Sequence, residues 1–285
     1  MAPASSSSAV PRLLRVLCLH GYGQCGDVLR ARTGALRKGL KGVCEFTFVD
    51  APHAATAAWL ATPDAADGDA TGPKLAWWNA ASDDGEGVRP SQSKVYVGWD
   101  ESLCLLERIV EAQGPFDGIL AFSQGAAAGA ILLAALNAKG ARSALPAFAI
   151  LVSGFLPRDE QVGTLLRNGP HVPVPTLHVC GDADALVPPG ATEALSACFA
   201  APLIFRHNGG HAVPGNAQFR SAARAFVEGP FAAANAGAAP ARAPAAAPAA
   251  APAQAGAAAE RVQATTAAGG PNAASAVPAA ANGDT

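Results

Sequence analysis

Six short apolar, strand-like runs alternate along the chain with helix-forming stretches, and this alternation most limits what the sequence can fold into. The runs are Leu13–Leu19, Cys44–Val49, Phe116–Phe122, Phe148–Val152, Pro175–Cys180 and Leu203–His207. Between and after them, Val28–Leu40, Val97–Ala112, Ala126–Lys139, Ala191–Cys198 and Gln218–Glu228 read as helices. Short strands that are apolar along their whole length are buried on both faces. Strand–helix alternation therefore predicts an α/β domain with a mostly parallel sheet and helices on both sides. Residues 54–95, broken by Gly, Asp and Pro, read as an unusually long connection, and connections of that length often carry function.

The pattern stops near residue 231. From Ala232 to Thr285 the chain is about half Ala with Pro, Gly and little else, and it cannot bury enough apolar surface to offset its ordering entropy. The expected organisation is a disordered N-terminus (1–12), one folded domain (13–230) and an Ala/Pro-rich disordered tail (231–285). This accounts for the 50% apolar content of the 285 residues without a second domain. A net charge of −2 offers no basic field for nucleic acid, and no apolar run is long enough to span a membrane. The six cysteines include no CxxC pair and no zinc spacing, which points to a reducing, cytoplasmic setting. Met1–Arg15 lacks the apolar core of a secretory signal. Its Ser-rich, Arg-bearing makeup only weakly resembles an organellar transit peptide, and a disordered start is the preferred reading.

Chemistry is concentrated at Ala121-Phe122-Ser123-Gln124-Gly125. A strand runs into Ser123 and a helix leaves it at once, the context of a nucleophile elbow, in which small residues two before and two after the serine allow the sharp turn. Ala121 and Gly125 meet that need, although Gly is the usual first residue. An acid and a histidine should follow in that order. Asp184, in Gly181-Asp182-Ala183-Asp184, is favoured as the acid, with Asp182 as the competitor that would brace the turn through its own backbone. His211, after Gly209-Gly210, is favoured as the base over His207, which reads as structural. The His207/His211 spacing is not credible for a metal pair on a segment containing two glycines, so no metal site is expected. Backbone N–H groups of Gln124 and of Tyr22, in His20-Gly21-Tyr22-Gly23, are the expected oxyanion donors, with His20 bracing its loop by a hydrogen bond. Trp59, Trp77, Trp78, Phe155 and Leu156 are candidates to line an apolar acyl pocket, with ordinary core as the alternative.

LCLHGYGQ, FVDAPH, Trp77-Trp78, YVGWDESL, GPFDGILAFSQGAAA, GDADALVP and NGGHAVP together resemble the FSH-type family of serine hydrolases, which includes the ovarian-tumour-suppressor-candidate-like esterases. The resemblance runs over about residues 13–227 and departs from the family form at Ala121, where Gly is usual. It implies an α/β-hydrolase fold and a cofactor-free Ser-His-Asp mechanism, with the nucleophile, acid and base roles on Ser123, Asp184 and His211. The implied substrate is a small-molecule carboxylic ester of medium to long acyl or alkyl chain. The alternatives are an acyl thioester or, in a different class, a non-catalytic ligand-binding relative.

Overall fold

The computed structural model describes residues 12–56, 72–81, 88–89 and 91–229. By its internal contacts the chain divides into Met1–Ala243 and Pro244–Thr285, and the second unit lies wholly outside the described residues. So do Trp59 and the expected disordered tail.

The elements, in chain order, are β1 (Leu14–Leu19), α1 (Gly26–Arg32), α2 (Gly34–Gly39), β2 (Cys44–Val49), β3 (His53–Ala54), β4 (Leu75–Ala76), β5 (Asn79–Ala80) and β6 (Tyr96–Val97). They continue with α3 (Trp99–Gln113), β7 (Gly118–Phe122), α4 (Gln124–Ala138), a short 3-10 turn at Arg142–Ala144, β8 (Phe148–Val152) and α5 (Glu160–Arg167). The last are β9 (Thr176–Gly181), α6 (Pro189–Ser196), β10 (Pro202–His207) and α7 (Ala217–Glu228). The six strand-like runs of the sequence form one parallel sheet in the order β10-β9-β8-β7-β1-β2.

Alternation along the strands divides the core in two. Leu17, Leu19, Ile119, Ala121, Ala149 and Leu151 face the layer containing α3, α4, α5 and α6. Val16, Cys18, Leu120, Phe122, Ile150 and Val152 face α1, α2 and α7, whose Leu29, Leu36 and Phe219 are buried. Almost the whole circumference of α4 is buried, and its run of Ala and Gly lets it lie close on the sheet. At the opposite end, Arg12 donates twice to Asp117 at 2.7 Å, and the Arg15 amide donates to the same carboxylate at 2.8 Å.

Three expectations change. The single helix at 28–40 is two, because the Thr33 hydroxyl bonds the Leu29 carbonyl at 2.7 Å and Gly34 follows. The connection at 54–95 carries, in its described parts, β4 and β5, which pair antiparallel with β3 at its start and with β6 just beyond its end. Helix α5 was not foreseen: Gly163 and the flanking prolines mask it in the sequence, while the Asp159 side chain caps it by accepting from the Val162 N–H at 3.0 Å.

The order of strands fixes where a ligand can bind. β1 lies between β2 and β7, so the chain reverses its direction across the sheet at that point, and Leu19 pairs with Ala121 at the carboxyl ends of both strands. Crevices at such reversal points are where open α/β sheets bind ligands. The His20–Gln24 loop and Ser123 both emerge there.

Candidate active site

Ser123 sits between β7 and α4 with φ 54° and ψ −119°, a conformation that a non-glycine residue adopts only when its surroundings impose it. Its amide donates to the Val152 carbonyl of β8 at 2.8 Å, and its own carbonyl accepts from the Ala126 N–H at 2.9 Å. The turn requires Gly125, because a Cβ there would meet the Leu19 and His20 carbonyl oxygens at 2.4 Å. The methyl group of Ala121 is fully buried on the α4 side, and Gly129 of that helix comes close to it.

Residues 27 and 88 positions apart meet at this turn. His211 Nε2 lies 2.9 Å from Ser123 Oγ, and His211 Nδ1 lies 2.8 Å from Asp184 Oδ2. The other oxygen, Asp184 Oδ1, accepts the N–H groups of Leu186 at 2.9 Å and Val187 at 2.8 Å. Burial pushes the Asp184 carboxyl upward, but the hydrogen bonds from His211 and the Val187 N–H, with the electrostatic attraction of His211, outweigh it and hold the group below the ordinary Asp value. A charged Asp184 keeps the histidine proton on Nδ1 and leaves the Nε2 lone pair for the Ser123 hydroxyl. The imidazole also rests on the Phe122 ring, 4.9 Å between centroids.

The competing residues lie elsewhere. Asp182 is exposed and does not brace its own turn: it pairs with Arg206 at 2.7 Å, and Arg206 also reaches Glu193. His207 Nδ1 accepts from the Gly209 N–H at 3.1 Å, a bond within its own loop. His20 is buried; its Nε2 accepts from the Ala51 N–H at 3.0 Å, and burial lowers its pKa. Among the described residues no group of His, Cys, Asp and Glu could hold a metal ion.

Gln124 is the first residue of α4, so its N–H has no acceptor within the helix. Tyr22 lies in the turn after β1, where its hydroxyl donates to Asn79 Oδ1 at 2.8 Å. The expected acyl-pocket residues are core instead. Trp77 and Trp78 are completely enclosed and Phe155 is 4% exposed, so none presents a face to an acyl chain. Trp78 stacks on Tyr96 at 4.2 Å and meets Trp99 and Phe155 edge-on. Leu156 is half-buried.

Several residues of the site escaped the sequence reading: Gln24, Asn79, Ser102 and the side chain of Gln124. Ser102 and Gln124 bond the backbone of the Trp77-Trp78 pair and Asn79 follows it, while Gln24, Ser102 and Gln124 stand in the motifs LCLHGYGQ, YVGWDESL and GPFDGILAFSQGAAA, the signal that pointed to them.

A family profile described as serine hydrolase (FSH1) matches residues 10–223. The human protein named Esterase OVCA2 is 35% identical over 235 residues, covering 77% of this chain and 98% of its own. A Caenorhabditis elegans protein named Esterase C25G4.2 is 36% identical over 225 residues, covering 77% of this chain and 95% of its own. Among solved structures, Zea mays acyl-protein thioesterase 2 aligns with a TM-score of 0.52 at 18% identity over 76% of this chain and 94% of its own. Arabidopsis thaliana SOBER1 aligns with a TM-score of 0.51 at 16% identity over 76% and 98%. At these identities the two structures establish likeness of fold, that of the α/β hydrolases.

Proposed function

We propose that this chain, which belongs to the serine hydrolase (FSH1) family, hydrolyses carboxylic esters through an acyl-enzyme on Ser123. One observation carries the reading: the unbroken hydrogen-bonded line from Ser123 Oγ through His211 to Asp184. The names of its relatives support the ester as substrate.

In this scheme Ser123 Oγ attacks the ester carbonyl carbon while its proton passes to His211 Nε2. The positive imidazolium is held by Asp184, whose charge the Leu186 and Val187 N–H groups stabilise. The carbonyl oxygen becomes an oxyanion, bound by the N–H groups of Gln124 and Tyr22. As the carbon–oxygen bond to the leaving alkoxide breaks, His211 returns the proton to that oxygen. Water then loses a proton to His211, attacks the acyl carbon, and the carboxylic acid leaves as Ser123 regains its hydrogen. Every proton is carried by His211, so the scheme calls for no cofactor. The family resemblance favours medium to long acyl or alkyl chains. The same atoms would cleave a thioester, with a thiolate leaving. All six cysteines are free, which suits the reducing, cytoplasmic setting we assign.

A fluorophosphonate probe should label the wild-type protein at Ser123, and Ser123→Ala should lose p-nitrophenyl ester turnover by roughly a thousandfold or more. Undiminished turnover in Ser123→Ala would overturn the proposal. Matched alkyl esters and acyl-CoA thioesters, compared on the purified protein, separate the two leaving groups.

A further inference from the structure

Residues 75–79 (Leu75-Ala76-Trp77-Trp78-Asn79) run as a strap past both sources of the proposed oxyanion donors. On one side, the Gln124 side chain grips it. Its Oε1 accepts the Trp77 N–H at 2.9 Å and its Nε2 donates to the Trp78 carbonyl at 2.7 Å. This buried amide pairs with the strap as a neighbouring peptide group would, satisfying one backbone donor and one backbone acceptor.

On the other side, the strap holds the loop after β1. The Gly23 N–H donates to the Leu75 carbonyl at 2.8 Å, and the Leu75 N–H donates to the Gln24 carbonyl at 3.0 Å. The Trp77 indole N–H donates to the His20 carbonyl at 2.8 Å, and the Tyr22 hydroxyl donates to Asn79 Oδ1 at 2.8 Å. Within the loop, the Gly21 N–H donates to Gln24 Oε1 at 3.2 Å. From behind, the Ser102 hydroxyl of α3 donates to the Trp77 carbonyl at 2.5 Å. His20, Tyr22, Gly23 and Gln24 therefore all bond to a strap that is itself fastened to the residue following the nucleophile.

We propose that the Gln124 side chain is a positioning residue: through the 75–79 strap it sets the distance between its own backbone N–H and the Tyr22 loop. This rests on the ester-hydrolase reading for its catalytic consequence, whereas the mechanical coupling stands apart from it. Oxyanion stabilisation depends on donors aimed in advance at a small volume, and a displacement of the order of an ångström removes much of it. Trp77 and Trp78 gain a reason to be enclosed: their backbone groups and one indole serve as the links.

The test uses full-length Gln124→Met, which keeps the side chain's length and the backbone N–H but removes both amide bonds. Peptide-resolved hydrogen exchange should rise in residues 20–24 as well as 75–79 and stay unchanged in β9. For a short p-nitrophenyl ester, kcat should fall about tenfold to a hundredfold with KM changed by less than about twofold, and inhibition by a trifluoromethyl ketone, whose adduct places an oxyanion in the hole, should weaken in parallel. Trp77→Phe, which removes the indole donor to His20 along with part of the buried ring and leaves both Gln124 bonds in place, should change the same quantities in the same direction and less, and it serves if Gln124→Met does not fold. Unchanged exchange at 20–24 overturns the coupling, and an unchanged kcat overturns its role in catalysis. If the wild-type protein hydrolyses no ester, the ester-hydrolase reading and the catalytic role resting on it fall, and the exchange result alone decides the coupling.

Discussion

Gly181 and Gly209 meet backbone to backbone: a Cβ on Gly181 would lie 2.3 Å from the Gly209 carbonyl oxygen and 2.6 Å from that of Gly210. The contact is continued by the Asp182 N–H donating to His207 O at 2.7 Å and the Ala183 N–H to Gly209 O at 3.1 Å. The end of β9 and the loop after β10 are thereby clamped together, and this clamp brings Asp184 to His211.

Gly181→Ala is predicted to force the two loops apart. Overpacking of this kind costs about 1–3 kcal/mol, and displacement of His211 should reduce ester turnover about a hundredfold. Thermal unfolding and p-nitrophenyl ester kinetics check both. Wild-type kinetics in this variant would show that the glycine pair does not hold the histidine in place.

Asp184→Asn is predicted to lower kcat roughly a thousandfold or more, because an amide can present its N–H to Nδ1 and so favour the wrong tautomer of His211. Asp182→Asn should stay within about twofold of wild type, since it weakens only an exposed ion pair. Equal losses in the two variants would contradict the assignment of the acid.

Acid should destabilise the fold through His178. Burial lowers this fully enclosed histidine from 6.5 to about 4. Between those values the unfolded chain binds a proton that the folded chain does not. The stability present above pH 6.5 therefore declines as pH falls towards 4 and changes no further below it. The loss amounts to about 3 kcal/mol. Burial of His20 acts with the same sign. In chemical denaturation between pH 7 and pH 4, His178→Leu should show a shallower decline than wild type. Parallel curves would remove His178 as the cause.

A chain ending after Gly229 is predicted to keep kcat/KM within about twofold and its unfolding midpoint within a few degrees. Helix α7, the last among the described residues, already anchors the domain through buried Phe219, Ala223 and Val227. Substantial loss of activity on truncation would mean that the Ala/Pro-rich segment does more than extend the chain.

Much of this was legible in the primary structure because local rules suffice for it. Each of the six strand-like runs is a strand of the sheet, since a short run of apolar, partly β-branched residues has few other ways to be buried. Ser123 announced itself by sitting between such a run and a helix of small residues. The choice between Asp182 and Asp184 was less secure, because both follow β9 by a few residues. Only the direction of the turn separates them, sending Asp184 inward to His211 and Asp182 outward to Arg206.

The choice between pocket and core for the aromatic residues stays open in the sequence for a related reason. Composition marks Trp77, Trp78 and Phe155 as large and apolar, but whether such a side chain lines a pocket or fills a core depends on its neighbours. Here Tyr96, Trp99, Ser102 and Gln124 close around the tryptophan pair. By itself, the sequence determined the strands, the order in which Ser123, Asp184 and His211 follow one another, and the family, all of which rest on periodicity and short motifs. Tertiary structure alone decided the strand order that puts β1 beside β7, the glycine contact that joins the acid and histidine loops, and the strap that links Gln124 to the Tyr22 loop. Those depend on hydrogen bonds and close approaches between segments far apart in the chain, which no local pattern encodes.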